Sequence, residues 1–309
     1  GFALLAGLVL AVGPERLGAA LATADPRWLA LAAPGFLLFT LAKALRWRAL
    51  LSLGGIHYPL SRALVVYQAS AFLAFVTPGR VGDFAKVAYL RRDVGASWAA
   101  GVATTLADRV FDLAVLAAAA ALALAVAAPP GPLRGALLGG LAAAALGAPV
   151  LVSPRVQRLA LAGLARTSFA ARGTQALQRP VERLAEELGR LWSPRLVGLA
   201  VLSAAGFACL FAGAHALARA LALPIDFATT AYAVATASVA ALLPVSVSGI
   251  GTRDAALVLL LAPHGVPAPQ ALSFSLAYLA FSLAFSNGLG ALFWLRDPLA
   301  PRERAAAAP

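Results

Sequence analysis

Two stretches set an arginine and an aspartate among helix-breaking residues inside apolar sequence: Thr77-Pro78-Gly79-Arg80-Val81-Gly82-Asp83, and Pro244-Val245-Ser246-Val247-Ser248-Gly249-Ile250-Gly251-Thr252-Arg253-Asp254. Proline and glycine end a helix and free backbone amides, and hydrocarbon does not satisfy freed amides. Such a break persists only where protein or a water-filled cavity covers it, as at the substrate sites of transporters. In the first break, Pro78 and Gly79 close one helical arm and a new helix is expected near Val81, which puts Arg80 beside a positive N-terminal end. A guanidinium next to unpaired amides is an anion site, suited to phosphate because its planar fork matches two oxygens. In the second, Ser246, Ser248, Gly249 and Gly251 give a flexible, hydroxyl-bearing backbone ahead of Thr252, the expected N-cap, and Arg253 follows. Asp83 and Asp254 are near enough to neutralise the two arginines, so for each residue alone a ligand role and a structural ion pair stand equal. The repetition of the device favours the ligand role, because charge inside a membrane is costly.

A third constellation, Thr104-Thr105-Leu106-Ala107-Asp108-Arg109-Val110-Phe111-Asp112, lies within one apolar span. Asp108 and Asp112 share a helix face at a spacing of four, and Arg109 reaches Asp112 at a spacing of three. Two readings stand: a carboxylate that binds a proton or sodium ion in a cavity, or an internal salt bridge tying the helix to its neighbours. Lys86, one turn beyond Asp83, either meets a headgroup phosphate or extends to the membrane surface. Lys43, Arg46 and Arg48 read as interfacial anchors. Cys209 is the single cysteine, and His57, His215 and His264 are scattered, so neither a disulfide within the chain nor a metal cluster is expected. No nucleotide-binding loop or nucleophile elbow occurs, so an enzyme, a cofactor and ATP-driven pumping are not expected.

The elements that position these residues follow from composition. Hydrophobic residues make up 61% of the 309, charged residues 12%, and the net charge is +12. These values indicate an all-α polytopic membrane protein, one domain over 1–309. Arginines bunched beside apolar spans reflect the positive-inside bias rather than nucleic acid. A spanning helix takes about 20 apolar residues. Full spans read as Trp28 to Leu45, Ser97 to Ala127, Leu133 to Val152, Leu196 to Leu223 and Gln270 to Leu295, with the remainder of another at Gly1 to Val12. Two further regions, Ala63 to Leu90 and Ala228 to Leu261, are each cut by a break into two arms. The sum is about six full spans and two hairpins.

Basic residues give the orientation. Arg46, Arg48, Arg62, Arg91, Arg92, the eight arginines of 153–195, Arg296, Arg302 and Arg304 are expected on the cytoplasmic side, with the proline-rich turns at 128–132 and 263–269 outside. The first hairpin then enters from the cytoplasm and the second from outside, so 28–127 and 196–295 read as inverted repeats. Two pairs of ordinary short spans would satisfy the same charges, but the return arms Phe84 to Leu90 and Ala255 to Leu261 are too short to cross. In the linker, Leu177, Val181, Leu184, Leu188 and Leu191 recur at helical spacing, so a helix beginning near Pro180 is expected to rest on the inner leaflet or to dock on a partner.

Arg46-Trp47-Arg48, Pro78 to Asp83, Asp108-Arg109 with Asp112, and Pro244 to Asp254 resemble, in order and spacing, the motifs of the lysylphosphatidylglycerol synthase transmembrane-domain family, with similarity from about Trp28 to Leu295. The resemblance implies a lipid-translocating helical domain with re-entrant helices, which in the synthases is joined to a cytoplasmic aminoacyl-transferase domain. Aspartate stands at 83, 108 and 254 where the family commonly has glutamate, and Ser248 where it often has glycine. Those differences bear on which lipid is handled more than on the fold. The expectation is a multi-pass inner-membrane flippase-like transporter for a phospholipid or polyprenyl-phosphate-linked lipid, with proton or sodium coupling among its options and a membrane enzyme or a second copy as partner. The alternatives are a carrier of a small anionic solute and a lipid-binding scaffold for a membrane glycosyltransferase.

Overall fold

A computed structural model of the protein describes residues 15, 23–127, 135, 139, 142, 175–241 and 249–299. The spans expected at Gly1 to Val12 and Leu133 to Val152 lie outside them, as does the linker before residue 175. Every regular element among the described residues is helical: α1 (Pro26–Leu53), α2 (Leu60–Val76), a 3-10 segment (Pro78–Phe84), α3 (Ala85–Val94), α4 (Trp98–Ala127), α5 (Gln175–Arg190), α6 (Arg195–Ala220), α7 (Phe227–Ala240), α8 (Thr252–Leu261), α9 (Ala268–Phe281) and α10 (Leu289–Arg296). A π-helical stretch, Ser282–Gly288, joins α9 to α10. Three of these helices are long and apolar enough to cross a membrane: α1, α6 and the continuous α9–α10 rod. At 30 residues α4 also has the length, but it carries Asp108, Arg109 and Asp112. The chain is an all-α membrane protein.

Asp25 caps α1 by accepting from the Arg27 amide at 2.8 Å, with Pro26 at the first helical position. The helix runs past its expected end at Leu45 to Leu53, because Trp47, Leu50 and Leu51 are buried. That extension carries Arg46 inward. Along α1 and α6 the backbones meet without intervening side chains. A Cβ on Gly35 would stand 2.5 Å from the Cys209 carbonyl oxygen, and one on Gly213 2.9 Å from that of Ala32. The largest core, including Phe36, Phe207, Phe211, Leu217, Phe274 and Tyr278, joins α1, α4, α6, α7, α8 and α9. A second, around Trp47, Tyr58, Tyr67 and Tyr89, joins α1, α2 and α3.

The amphipathic helix differs from expectation. It starts at Gln175 rather than near Pro180, and at its C-terminal end Leu188, with Leu191 just beyond, is buried with Leu50, Ala103, Ala107 and Leu199. Burying such leucines is worth about 1.5 to 3 kcal/mol each.

An ion-pair clamp fastens the end of α10 to α2 and α3. Arg62 reaches Asp93 at 2.6 Å and Asp297 at 2.5 Å, and Arg92 reaches Asp297 at 2.7 Å. Burial raises the Asp93 carboxyl, but hydrogen bonds from Arg62, Tyr58 and Arg92 outweigh it and hold the group below its ordinary value.

Candidate functional site

The first break is folded tightly onto the end of α2. Thr77 is extended, its hydroxyl donates to the Leu73 carbonyl at 2.7 Å, and it accepts from the Gly82 amide at 2.8 Å. Gly82 presses against Leu73, where a Cβ would lie 2.2 Å from the carbonyl carbon. This return holds residues 78–84 in a 3-10 turn, so α3 begins at Ala85 instead of near Val81. Arg80 takes a left-handed φ of 57°, uncommon for a residue with a side chain.

The second break resumes at Gly249 and Gly251, with φ of 75° and 86°. Ser246 and Ser248 lie outside the described residues. Gly251, not Thr252, is the N-cap of α8, and its amide donates to Asp254 at 2.7 Å. Asp254 reaches back from the third helical position, so the threonine is displaced into the helix, where its hydroxyl donates to the Gly249 carbonyl at 3.3 Å. Asp254 also accepts from Arg253 at 3.0 Å and from the Ser275 hydroxyl of α9.

Both arginines line one cavity of about 350 Å³, together with Lys43, Arg109 and, as the single carboxylate among the described residues, Asp112. Its apolar wall includes Phe36, Phe39, Leu113, Leu116, Phe207 and Leu210, and Tyr67, Gln68, Ser238 and Tyr278 add polar edges. Arg253 is held over the Tyr278 ring at 5.4 Å. Among the described residues its Nε is buried without a hydrogen-bond partner, as is Oε1 of Gln68. Arg80 is looser: its side chain is 43% exposed and its nearest Asp83 contact is 3.9 Å. Asp83 lies nearer to Arg109, at 3.2 Å.

Behind the cavity sits a charge network that sequence reasoning only half recovered. Asp108, fully buried, accepts from Arg46 at 2.6 Å, from Lys86 and the Tyr67 hydroxyl at 3.1 Å, and from Arg109 at 3.2 Å. Asp112 meets Arg46 and Lys43 at 2.7 Å and Arg109 at 3.2 Å. Arg46 spends its remaining nitrogen on Ser203 of α6 at 3.0 Å. The shared face of Asp108 and Asp112 is therefore real, and Arg46 grips both. Lys86 is fully buried, with the Tyr67 ring 4.6 Å from its ammonium, and it neither reaches the surface nor lines the cavity.

Lys43 and Arg46, expected at the interface as anchors, lie inside instead, because α1 continues beyond them and carboxylates await them there. The signal was available: carboxylates in apolar sequence need cations, and Thr40 and Lys43 follow Phe36 at helical spacing on the face that lines the cavity. With at least three donors each, Asp108 and Asp112 act as ties between α1, α2, α3 and α4.

In comparisons with known proteins, the family described as lysylphosphatidylglycerol synthase TM region matches residues 1–290. No curated protein and no solved structure matches the chain.

Proposed function

The chain belongs to the lysylphosphatidylglycerol synthase transmembrane-region family, and from that premise we propose that it moves a phosphate-bearing lipid, either a phospholipid or a polyprenyl-phosphate-linked lipid, between the leaflets of the inner membrane. The observation that carries this reading is the convergence of Arg80 and Arg253, one from each break, on a single cavity with a long apolar wall. Guanidinium forks match phosphate oxygens, and the phenylalanines and leucines suit a hydrocarbon chain that a small soluble anion lacks.

The α3 and α8 arms have ten residues each, a rise of about 15 Å against a hydrocarbon thickness of about 30 Å. They are re-entrant arms of two inverted hairpins, and the headgroup docks where they meet. Asp254 fixes Arg253 in place while Arg80 closes on the phosphate from the other break. The acyl or prenyl chain stays against the apolar wall, so the charged headgroup crosses without entering hydrocarbon. Asp108 and Asp112 are saturated with cationic donors, which favours equilibration down a lipid gradient over coupling to a proton or sodium ion. The chain acts as a transporter and not as an enzyme.

A lipid-binding scaffold for a membrane enzyme is the second reading, favoured by the fact that each cation of the site has a carboxylate within 4 Å. One assay separates the two. In proteoliposomes carrying phosphatidic acid with a fluorescent acyl chain, the parent should speed its appearance in the opposite leaflet, and Arg80→Gln should lose most of that rate. Binding of lipid with translocation no faster than in protein-free vesicles would leave the scaffold.

A further inference from the structure

Six cationic side chains in and behind the cavity, Lys43, Arg46, Arg80, Lys86, Arg109 and Arg253, share four carboxylates, Asp83, Asp108, Asp112 and Asp254. The described residues therefore leave this site two positive charges in excess. Excess charge is expensive around Arg253, which is buried, so the excess marks a place that a ligand neutralises. The unspent donors agree with the count. Among the described residues Arg253 Nε is buried without a partner, and Arg80 stands beyond hydrogen-bond distance of Asp83. These two arginines face the cavity from different elements, α8 and the 3-10 turn.

We propose that the ligand is a dianionic phosphate at the end of a lipid, a phosphate monoester or a diphosphate, and not the monoanionic diester of an ordinary phospholipid headgroup. This rests on the lipid-handling reading above and narrows it. A diester offers one negative charge and would leave the cluster one short. A monoester, whose second proton leaves near pH 6, offers two charges and three acceptor oxygens, enough to engage both arginine forks together.

The test uses the full chain in phosphatidylcholine nanodiscs at pH 8, titrated with phosphatidic acid or with phosphatidylmethanol, its monomethyl ester. The two probes share their chains and differ by one charge. Phosphatidic acid should bind about tenfold more tightly, and Arg80→Gln, which removes one excess charge at a half-exposed side chain, should reduce that ratio to about threefold or less. Equal affinity for the two lipids in the parent would overturn the dianion while leaving lipid handling intact, and so would a ratio that survives Arg80→Gln unchanged. Failure of both lipids to bind more tightly than phosphatidylcholine would overturn the lipid reading itself. Inorganic phosphate that displaces phosphatidic acid at comparable concentration would reassign the site to a free phosphate; weak or absent displacement is the result expected here.

Discussion

The two breaks carry the same arginine-aspartate signature and spend it differently. At the first, the pair is parted: Asp83 turns to Arg109 on α4, and Arg80 is left half exposed with a 3.9 Å contact. At the second, the pair stays together, and Asp254 also takes the Gly251 amide and the Ser275 hydroxyl. The first break is therefore held by ion pairing across the fold and the second by its own helix cap. One motif yields a loosely held and a fixed arginine, both facing one cavity.

The sharpest way to break this contrast is Asp254→Asn. The carboxylate is fully buried and serves three groups at once. Its loss leaves Arg253 uncompensated and should cost about 3 to 5 kcal/mol, read as a large fall in melting temperature in detergent. A small fall would mean that Arg253 is not fixed by this knot. Asp83→Asn should cost less, about 1 to 2 kcal/mol, because Arg109 keeps Asp108 and Asp112 at 3.2 Å each. Equal losses for the two variants would erase the difference between local and tertiary support. The smallest effect belongs to Arg80→Gln, within about 0.5 kcal/mol of the parent, since a 43% exposed side chain is released from one long contact. Coupled with the loss of translocation, that near-neutral stability would confirm Arg80 as the loosely held arginine. A drop comparable to that of Asp83→Asn would make it a structural partner.

The breaks themselves were legible in the sequence, because proline, glycine and charge inside apolar runs have few physical explanations. The pairing of Arg253 with Asp254, adjacent in sequence, and of Arg109 with Asp112 was legible for the same local reason. Lys43 and Arg46 were not, since their partners lie more than sixty residues away on α4, and cations near the end of an apolar run look alike whether they anchor or pair. The N-cap of α8 was misplaced by one residue because the carboxylate of Asp254 competes with the Thr252 hydroxyl and wins. For α5, spacing showed an apolar stripe but not whether lipid or protein would cover it.

The glycine contact between α1 and α6 also constrains how the molecule moves. A seam in which main chain touches main chain has no side-chain rotamers to rearrange, so sliding or tilting one helix against the other meets hard atoms at once. These two helices form a rigid keel that runs from the seam of Gly35 and Gly213 to the point where Arg46 of α1 holds Ser203 of α6. Any opening of the cavity then falls to elements other than this pair, and the π-turn of Ser282–Gly288, next to the cavity residues Tyr278, Leu279 and Ser282, already interrupts regular helix pitch. In the cycle proposed above, the keel would keep its shape while the elements around it move.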